Sequence, residues 1–437
     1  MILTSEQQGI IDAIQSGFER VIRVSGPAGA GKSVIVRELQ KVSSNIIYCA
    51  PTGLAAAAIN GSTVHKQLGV PTGFPLDPKV KCTVLRRSDA STRYFGGKRA
   101  APLVAAEWIV IDEVSMLRPD VLDFVDSALR HARGSTQPFG GIGVLLVGDD
   151  GQLPPVATHK DIRALEAWGY KAPFDVNQAF CLKNVKTYTL TRIFRQKSRA
   201  EGELFSRVRT GQQSNLDLRL LNNCVGPAIP GSVVLTPYVK IAKEANQRAL
   251  KELGGEMHEF TVESKDWKGA APIEPITLCR GARVVIKANG NWKAEGDHQS
   301  CVNGDQGVYY GCDKFGRMLI DVDGRGMVNL PKKVWTQYKS VVGPSAEITQ
   351  VQSGQFKAYP VMLGWAMTIH ASQGSTLNRV YIDLPDRKPF TTGLLYVALS
   401  RVTAMSGLRL SRPVKHSDVS SAVQGELIDE QEEMFFE

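Results

Sequence analysis

Two short stretches carry residue types whose spacing suits phosphate chemistry. "GPAGAGKS", Gly26 to Ser33, fits G-x-x-x-x-G-K-[ST], and "WIVIDE" brings Asp112 and Glu113 into play eighty residues after Lys32. Across Gly26, Pro27, Ala28, Gly29, Ala30 and Gly31 the backbone N–H groups can turn toward a nucleotide's phosphates, and the following helix adds its positive end. Lys32 would reach the β- and γ-phosphates, and Ser33 would coordinate magnesium. Asp112 would hold the same Mg²⁺, while Glu113 would orient and deprotonate an attacking water. The expected cofactors are therefore ATP and Mg²⁺. Either stretch alone reads as a Gly-rich turn or a pair of surface carboxylates; together, each at the end of a strand, they support nucleotide hydrolysis. Downstream, "RIFRQ" supplies Arg195 and "YVALSRV" supplies Arg401. An arginine on a mobile lobe neutralises transition-state charge only when the cleft closes, which ties chemistry to movement.

The elements that must position these residues are legible as short apolar runs. "RVIRVSG", "NIIYCAPT", "EWIVIDE" and "GVLLVGDD" read as strands ending in small, polar or acidic residues, with helical patterns between them. This is the signature of a parallel sheet with functional groups at its carboxyl edge. "VKTYTLTRIFRQ", "SVVLTPY" and "RVYIDL", then the helical "GLLYVALSRV", predict a second α/β lobe of similar kind. Residues 66–104 are turn-rich and basic. Residues 276–357 show short strands punctuated by glycine, which predicts a small β barrel inserted into the second lobe.

Composition sets the bounds. The chain has 437 residues, 43% hydrophobic and 22% charged, which fits a globular protein of two to four domains. A formal net charge of +9 suggests an anionic partner without identifying it as nucleic acid. Seven cysteines without a C-x-x-C pair argue for reduced thiols and against a zinc or disulfide framework. The N-terminus lacks the pattern of a signal peptide, and no apolar run approaches the ~18 residues of a membrane span. The expectation is a cytoplasmic or nucleoid-associated protein, of bacterial or phage origin, with no membrane partner. The acidic C-terminal "GELIDEQEEMFFE" is a candidate contact for a protein partner or a solvated end.

Taken in order, the motifs resemble the first helicase superfamily, in its 5′→3′ branch of Pif, RecD and Dda helicases, and most closely the Pif-like members. "LTSEQQ" looks like the adenine-reading Q motif, "GPAGAGKS" like motif I, "APTGLAA" and "STVH" like motifs Ia and Ib. "IDEVSM" resembles motif II, "GDDGQLPPV" motif III, "RIFRQ" motif IV, "TIHASQGST" motif V and "YVALSRV" motif VI. The resemblance spans nearly the whole chain. It implies two RecA-like P-loop NTPase lobes, lobe 1 over 1–184 and lobe 2 over 185–275 and 358–437. It also implies a small wedge at about 66–104 and an SH3-like β-barrel insertion at 276–357. Gln7 would contact the base, Gln152 would sense the γ-phosphate, and Gly374 would join Arg195 and Arg401 at the nucleotide. Pro51, Thr52, Gly53, Thr63, His65, Thr368 and His370 would contact single-stranded DNA. Short polar groups at strand ends suit a motor that must release the strand at every step; the rival is a turn or capping role, as strong as strand contact for Thr63, and a packing histidine for His65 and His370.

Two departures from the family pattern stand out. Ala371 follows the motif V histidine where the family usually has lysine, and Asp150 and Gly151 precede Gln152 where an apolar residue is usual. The segment Lys79 to Ala101 holds seven basic residues and one acidic. Tyr94 or Phe95 is the expected separating pin, since base–aromatic stacking contributes ~1–3 kcal/mol, with Arg86, Arg87, Arg93, Lys98 and Arg99 guiding phosphates. The resulting expectation is an ATP-dependent DNA helicase, monomeric in its basic action, working on single strands and single-strand/duplex junctions. The rivals are a single-strand-stimulated ATPase or translocase that unwinds poorly, and an idle nucleotide-bound subunit of a recombination complex.

Overall fold

Five strands of the first half line up side by side, four of them largely apolar runs of four to six residues and one the short polar pair Ser62–Thr63. They are β1 (Val21–Ser25), β2 (Ile46–Ala50), β3 (Ser62–Thr63), β4 (Trp108–Ile111) and β5 (Gly143–Gly148). In this computed structural model they form a parallel sheet in the order β3-β2-β4-β5-β1, with Lys186–Thr189 added beyond β1. The structure describes residues 3–42, 45–71, 75–78, 101–155, 157–196, 198–267, 271–288, 290–291, 300–301, 303–342, 348–385, 393–419 and 427–428. Tyr94, Phe95 and the five guiding cations expected at the wedge lie outside the described residues.

Both faces of this sheet are covered, as a parallel sheet requires. On one face α1 (Ser5–Ser16) and α2 (Lys32–Val42) bury Ile10, Ile11, Ile14, Ile35, Val36 and Leu39 against Ile22, Val24, Val110 and Val147. α3 (Gly53–Ala58) and α4 (Val64–Leu68) follow β2 and β3, and α5 (Ala101–Ala105) precedes β4. On the other face α6 (Pro119–Arg133) buries Val121, Leu122, Val125 and Leu129 against Ile109, Ile111, Val144 and Leu146. Each of these side chains stabilises the fold by about 1.5–3 kcal/mol through burial. The helix ends obey local chemistry. Thr4 and Gln7 cap α1 reciprocally, and Gly134 at φ 60° closes α6 after its N-terminal Pro119.

The chain divides into two compact units. Residues 1–193, 336–354 and 422–437 form the first, and residues 194–335 and 355–421 form the second. The second has its own parallel sheet, in the order Ala366–Thr368, Val233–Thr236, Val380–Ile382, Leu408–Leu410. Asn246, buried on the helix Val239–Leu253, donates to the Ala366 carbonyl at 2.6 Å and accepts from its N–H at 2.9 Å, which stitches that helix to the edge strand. Between the first two of these strands in sequence lies a five-stranded antiparallel sheet. It runs Gly326–Leu330, Met318–Val322, Gln306–Cys312, Arg283–Ile286, Val361–Leu363 around Tyr309, Ile320 and Val328.

Two placements differ from the sequence expectation. Lys186–Thr189, assigned above to the second lobe, pairs with β1 in the first sheet, Ile22 opposite Lys186 and Ser25 opposite Thr189. Its polar, largely exposed residues mark an edge strand, and nothing in such a strand names the sheet it will join. Residues 336–354, expected wholly within the β insertion, group with the first unit instead. Strands Lys333–Val342 and Ile348–Ala358 are twice the usual length, and Lys66 donates to Gln337 Oε1 at 3.2 Å and Ser353 Oγ at 2.9 Å.

Candidate active site

The phosphate loop is built by β1 ending at Ser25 and α2 beginning at Lys32. Gly29 and Gly31 take φ of 81° and 85°, which side chains rarely adopt, and this turns the loop back on itself. Lys32 Nζ folds across the loop, donating to Gly26 O at 2.7 Å and Pro27 O at 3.1 Å, while Ser33 is exposed at the helix start. Buried Gln7 accepts from Thr4 N at 3.0 Å and donates to Gly31 O at 3.3 Å. Its amide thus ties α1 to the loop.

Asp112 is buried at the end of β4, and its Oδ1 accepts from Glu113 N at 2.9 Å. Burial, then the neighbouring Glu113 carboxylate, push Asp112 up to about 7 against the opposing pull of the Glu113 N–H and Lys32. A bound divalent cation reverses that balance and favours the carboxylate. A buried carboxylate and an exposed hydroxyl are hard oxygen donors of the kind magnesium takes, and magnesium completes its shell with waters and phosphate oxygens. Glu113 is held in the left-handed region, φ 51° and ψ 40°, an unusual conformation for a non-glycine residue and one that concentrates at functional sites.

After β5 the chain turns through Asp149, Asp150, Gly151 and Gln152. Asp149, fully buried, accepts from Gly151 N at 3.1 Å and from Gln152 Nε2 at 3.2 Å, so it fixes the direction of the Gln152 amide. Four loops, after β1, β2, β4 and β5, therefore share one carboxyl edge of the first sheet, where parallel sheets bind ligands.

In the second unit, Arg401 is 1% exposed. Its Nε donates to Val397 O at 2.9 Å, one terminal nitrogen to Ser372 O at 3.4 Å and the other to Ser400 Oγ at 2.7 Å. Arg195, half-buried, donates to Ser400 O at 3.1 Å. The two arginines singled out in the sequence thus meet at Ser400. Gly374, at φ 74°, lies in the turn that begins at Thr368 and passes through His370 and Ser372.

A family description, PIF1-like helicase, matches residues 2–211. The human ATP-dependent DNA helicase PIF1 is 28% identical over 429 residues, covering 93% of this chain and 60% of that protein. The ATP-dependent DNA helicase RRM3 of Saccharomyces cerevisiae is 26% identical over 94% of this chain and 65% of its own length. The crystal structure of Bacteroides sp Pif1 in complex with ADP-AlF4 superposes with a TM-score of 0.85 at 29% identity, covering 96% of this chain and 94% of that one. The chain is thus similar to PIF1-like helicases along nearly its whole length, and the family description covers its first 211 residues from position 2. It spans about 60% of the length of the curated relatives it matches first.

The positions expected from the sequence to contact a DNA strand carry local duties of their own. Thr52 Oγ1 accepts from Ala55 N, Thr63 Oγ1 from Lys66 N and Thr368 Oγ1 from Ala371 N, so all three threonines cap turns. Pro51 and Gly53 flank Thr52 at the start of α3 and are half-buried. His65 is half-buried on α4, where burial and Arg118 hold its pKa below the usual value against Asp120.

Two charged residues escaped the sequence reading. Lys287, just past the strand Arg283–Ile286, donates to Ala371 O at 2.8 Å and Ser375 Oγ at 3.0 Å. It thus brings an ammonium to the motif V turn, whose own usual lysine is replaced by Ala371. Burial and the Arg401 guanidinium push it down to about 8. Arg23, inside β1, pairs with Asp150. A cation within or just after an apolar run was the only available signal for either, and it does not name the partner.

Proposed function

We propose that the chain is an ATP-dependent DNA helicase that translocates 5′→3′ on single-stranded DNA and unwinds duplex DNA in replication, recombination or repair. The observation that carries this reading is the shared edge of Lys32, Asp112, Glu113 and Gln152, all at the carboxyl ends of one parallel sheet. The names of its relatives, the structure of Bacteroides Pif1 bound to ssDNA, and a structure described as DNA unwinding at forked dsDNA by two coordinating Pif1 helicases support the substrate class.

In this reading Lys32 exchanges the carbonyls of Gly26 and Pro27 for the β- and γ-phosphates of ATP. Ser33 and Asp112 would hold Mg²⁺, which supplies charge neutralisation on the phosphates. Glu113 orients the attacking water and takes its proton, and Gln152 reports the presence of the γ-phosphate to its turn. Arg195 and Arg401 belong to the other unit, so their stabilisation of the transition state is conditional on movement; such arginines contribute about 10³–10⁵ in rate. Thr52, Thr63, His65, Thr368 and His370 grip backbone phosphates weakly, and Tyr94 or Phe95 separates the strands. One chain is the working unit.

A single-strand-stimulated ATPase without strong unwinding is the second reading, and Ala371 in place of the usual motif V lysine is the observation that favours it. ATP hydrolysis measured with and without single-stranded DNA, followed by displacement of a labelled strand, separates the readings. The proposal expects stimulation of hydrolysis and strand displacement. Stimulation without displacement would support the translocase, and no hydrolysis under either condition would leave only a nucleotide-binding subunit.

A further inference from the structure

A guanidinium inside a buried central strand is unusual and requires a specific partner. All five residues of β1 are buried, and Arg23 is 5% exposed. Alternation along the strand puts Arg23 on the same face as Val21, the face otherwise made of Ile109, Ile111, Val144 and Leu146. In register it lies between Leu146 of β5 and Thr187 of the edge strand. Burying such a charge without a counter-charge costs several kcal/mol.

The counter-charge is Asp150. One terminal nitrogen of Arg23 donates to Asp150 Oδ1, and Ser25 Oγ lies 3.4 Å from Asp150 Oδ2. The other terminal nitrogen of Arg23 is buried without a hydrogen-bond partner among the described residues. Asp150 itself keeps 40% of its side chain exposed, so the pair is fixed at the strand and open at the turn. The two acidic residues of this turn do different things. Asp149 organises the turn internally by accepting from Gly151 N and Gln152 Nε2. Asp150 reaches outward, to the strand whose last residue, Ser25, leads into the phosphate loop.

We propose that Arg23 and Asp150 are a positioning pair: their ion pair ties the turn bearing Gln152 to the strand bearing the phosphate loop. Breaking it lets Gln152 drift relative to that loop while the loop itself stays intact. The inference rests on the ATP-hydrolysing reading above for its effect on turnover, but not for its effect on the turn. It also accounts for the acidic residue at a motif III position that is usually apolar. The charged tether from Arg23 in β1 supplies that turn's contact to the strand.

The experiment is a double-substitution cycle on the full chain with Arg23→Met, Asp150→Ala and both together, read by two measurements. Arg23→Met removes the buried charge while keeping an unbranched side chain, which guards against simple unfolding. The first measurement is amide hydrogen exchange over residues 149–153 without nucleotide, and all three variants should exchange faster than the parent. The second is ATP hydrolysis with saturating single-stranded DNA. Each single variant should lose about tenfold or more in kcat, as small misplacements do, with KM for ATP within about twofold. The double variant should be no worse than the worse single one, because both substitutions cut the same tie. Parental exchange and parental kcat in Arg23→Met would overturn the proposal, as would additive losses in the double variant. A parent that does not hydrolyse ATP would sink the helicase reading alone, and the exchange data would still decide the pair.

Discussion

In the first unit, the groups assigned to phosphate chemistry are held by the loops that carry them. Lys32 rests on the carbonyls of Gly26 and Pro27, Glu113 N on Asp112, and Gln152 on Asp149. In the second unit the corresponding cation, Arg401, is 1% exposed and spreads its three donor positions over Val397, Ser372 and Ser400. A lysine lying over its own loop can exchange two carbonyls for phosphate oxygens with little rearrangement. An arginine packed between two turns cannot change partners without moving those turns. The difference teaches that, on the proposed function, a displacement of Arg401 must move the turns around Ser372 and Ser400, and the Ser372 turn also carries Thr368 and His370. On that function it is a physical route from ATP to Thr368 and His370, the residues expected to contact the strand.

The largest expected effects come from the first unit and sharpen its half of the comparison. Lys32→Ala should weaken ATP binding and abolish turnover, because it deletes the charge that meets the phosphates. Glu113→Gln should leave ATP binding intact and stop hydrolysis, since an amide cannot take the water's proton. Equilibrium binding of ATP alongside steady-state hydrolysis checks both, and equal loss of affinity in the two variants would contradict the division of roles.

Smaller, and aimed at the second unit, is a contrast between its arginines. Both Arg195→Ala and Arg401→Ala should lower kcat by orders of magnitude. Only Arg401→Ala should also lower the melting temperature, because it empties a site that is 1% exposed and removes three hydrogen bonds at about 0.5–1.5 kcal/mol each. Arg195 is only half-buried where it donates to the Ser400 carbonyl, so its variant should melt close to the parent. Equal melting temperatures for the two variants would break the comparison between a held loop and a packed arginine.

Much of this was legible beforehand. The strand endings at Ser25, Ala50, Asp112 and Asp149 announced the carboxyl edge, since apolar runs closing in small or acidic residues can pack only one way into a covered parallel sheet. The pairing of Lys186–Thr189 with β1 was not legible, because an edge strand is exposed and carries no mark of its neighbour. Nor was the burial of Arg401, which its sequence "LSRV" does not reveal, or the meeting of Lys287 with Ala371 across 84 positions. Long-range partners of single charges depend on topology, and periodicity reports only local structure.

The central claim is a motor that moves 5′→3′ on one strand, and the most direct measurement is strand displacement on two otherwise identical duplexes. One carries only a 5′ single-stranded tail and the other only a 3′ tail, each with ATP and magnesium in excess. The account predicts that the 5′-tailed duplex is opened and the 3′-tailed duplex is left essentially intact. Preferential opening of the 3′-tailed duplex would contradict it.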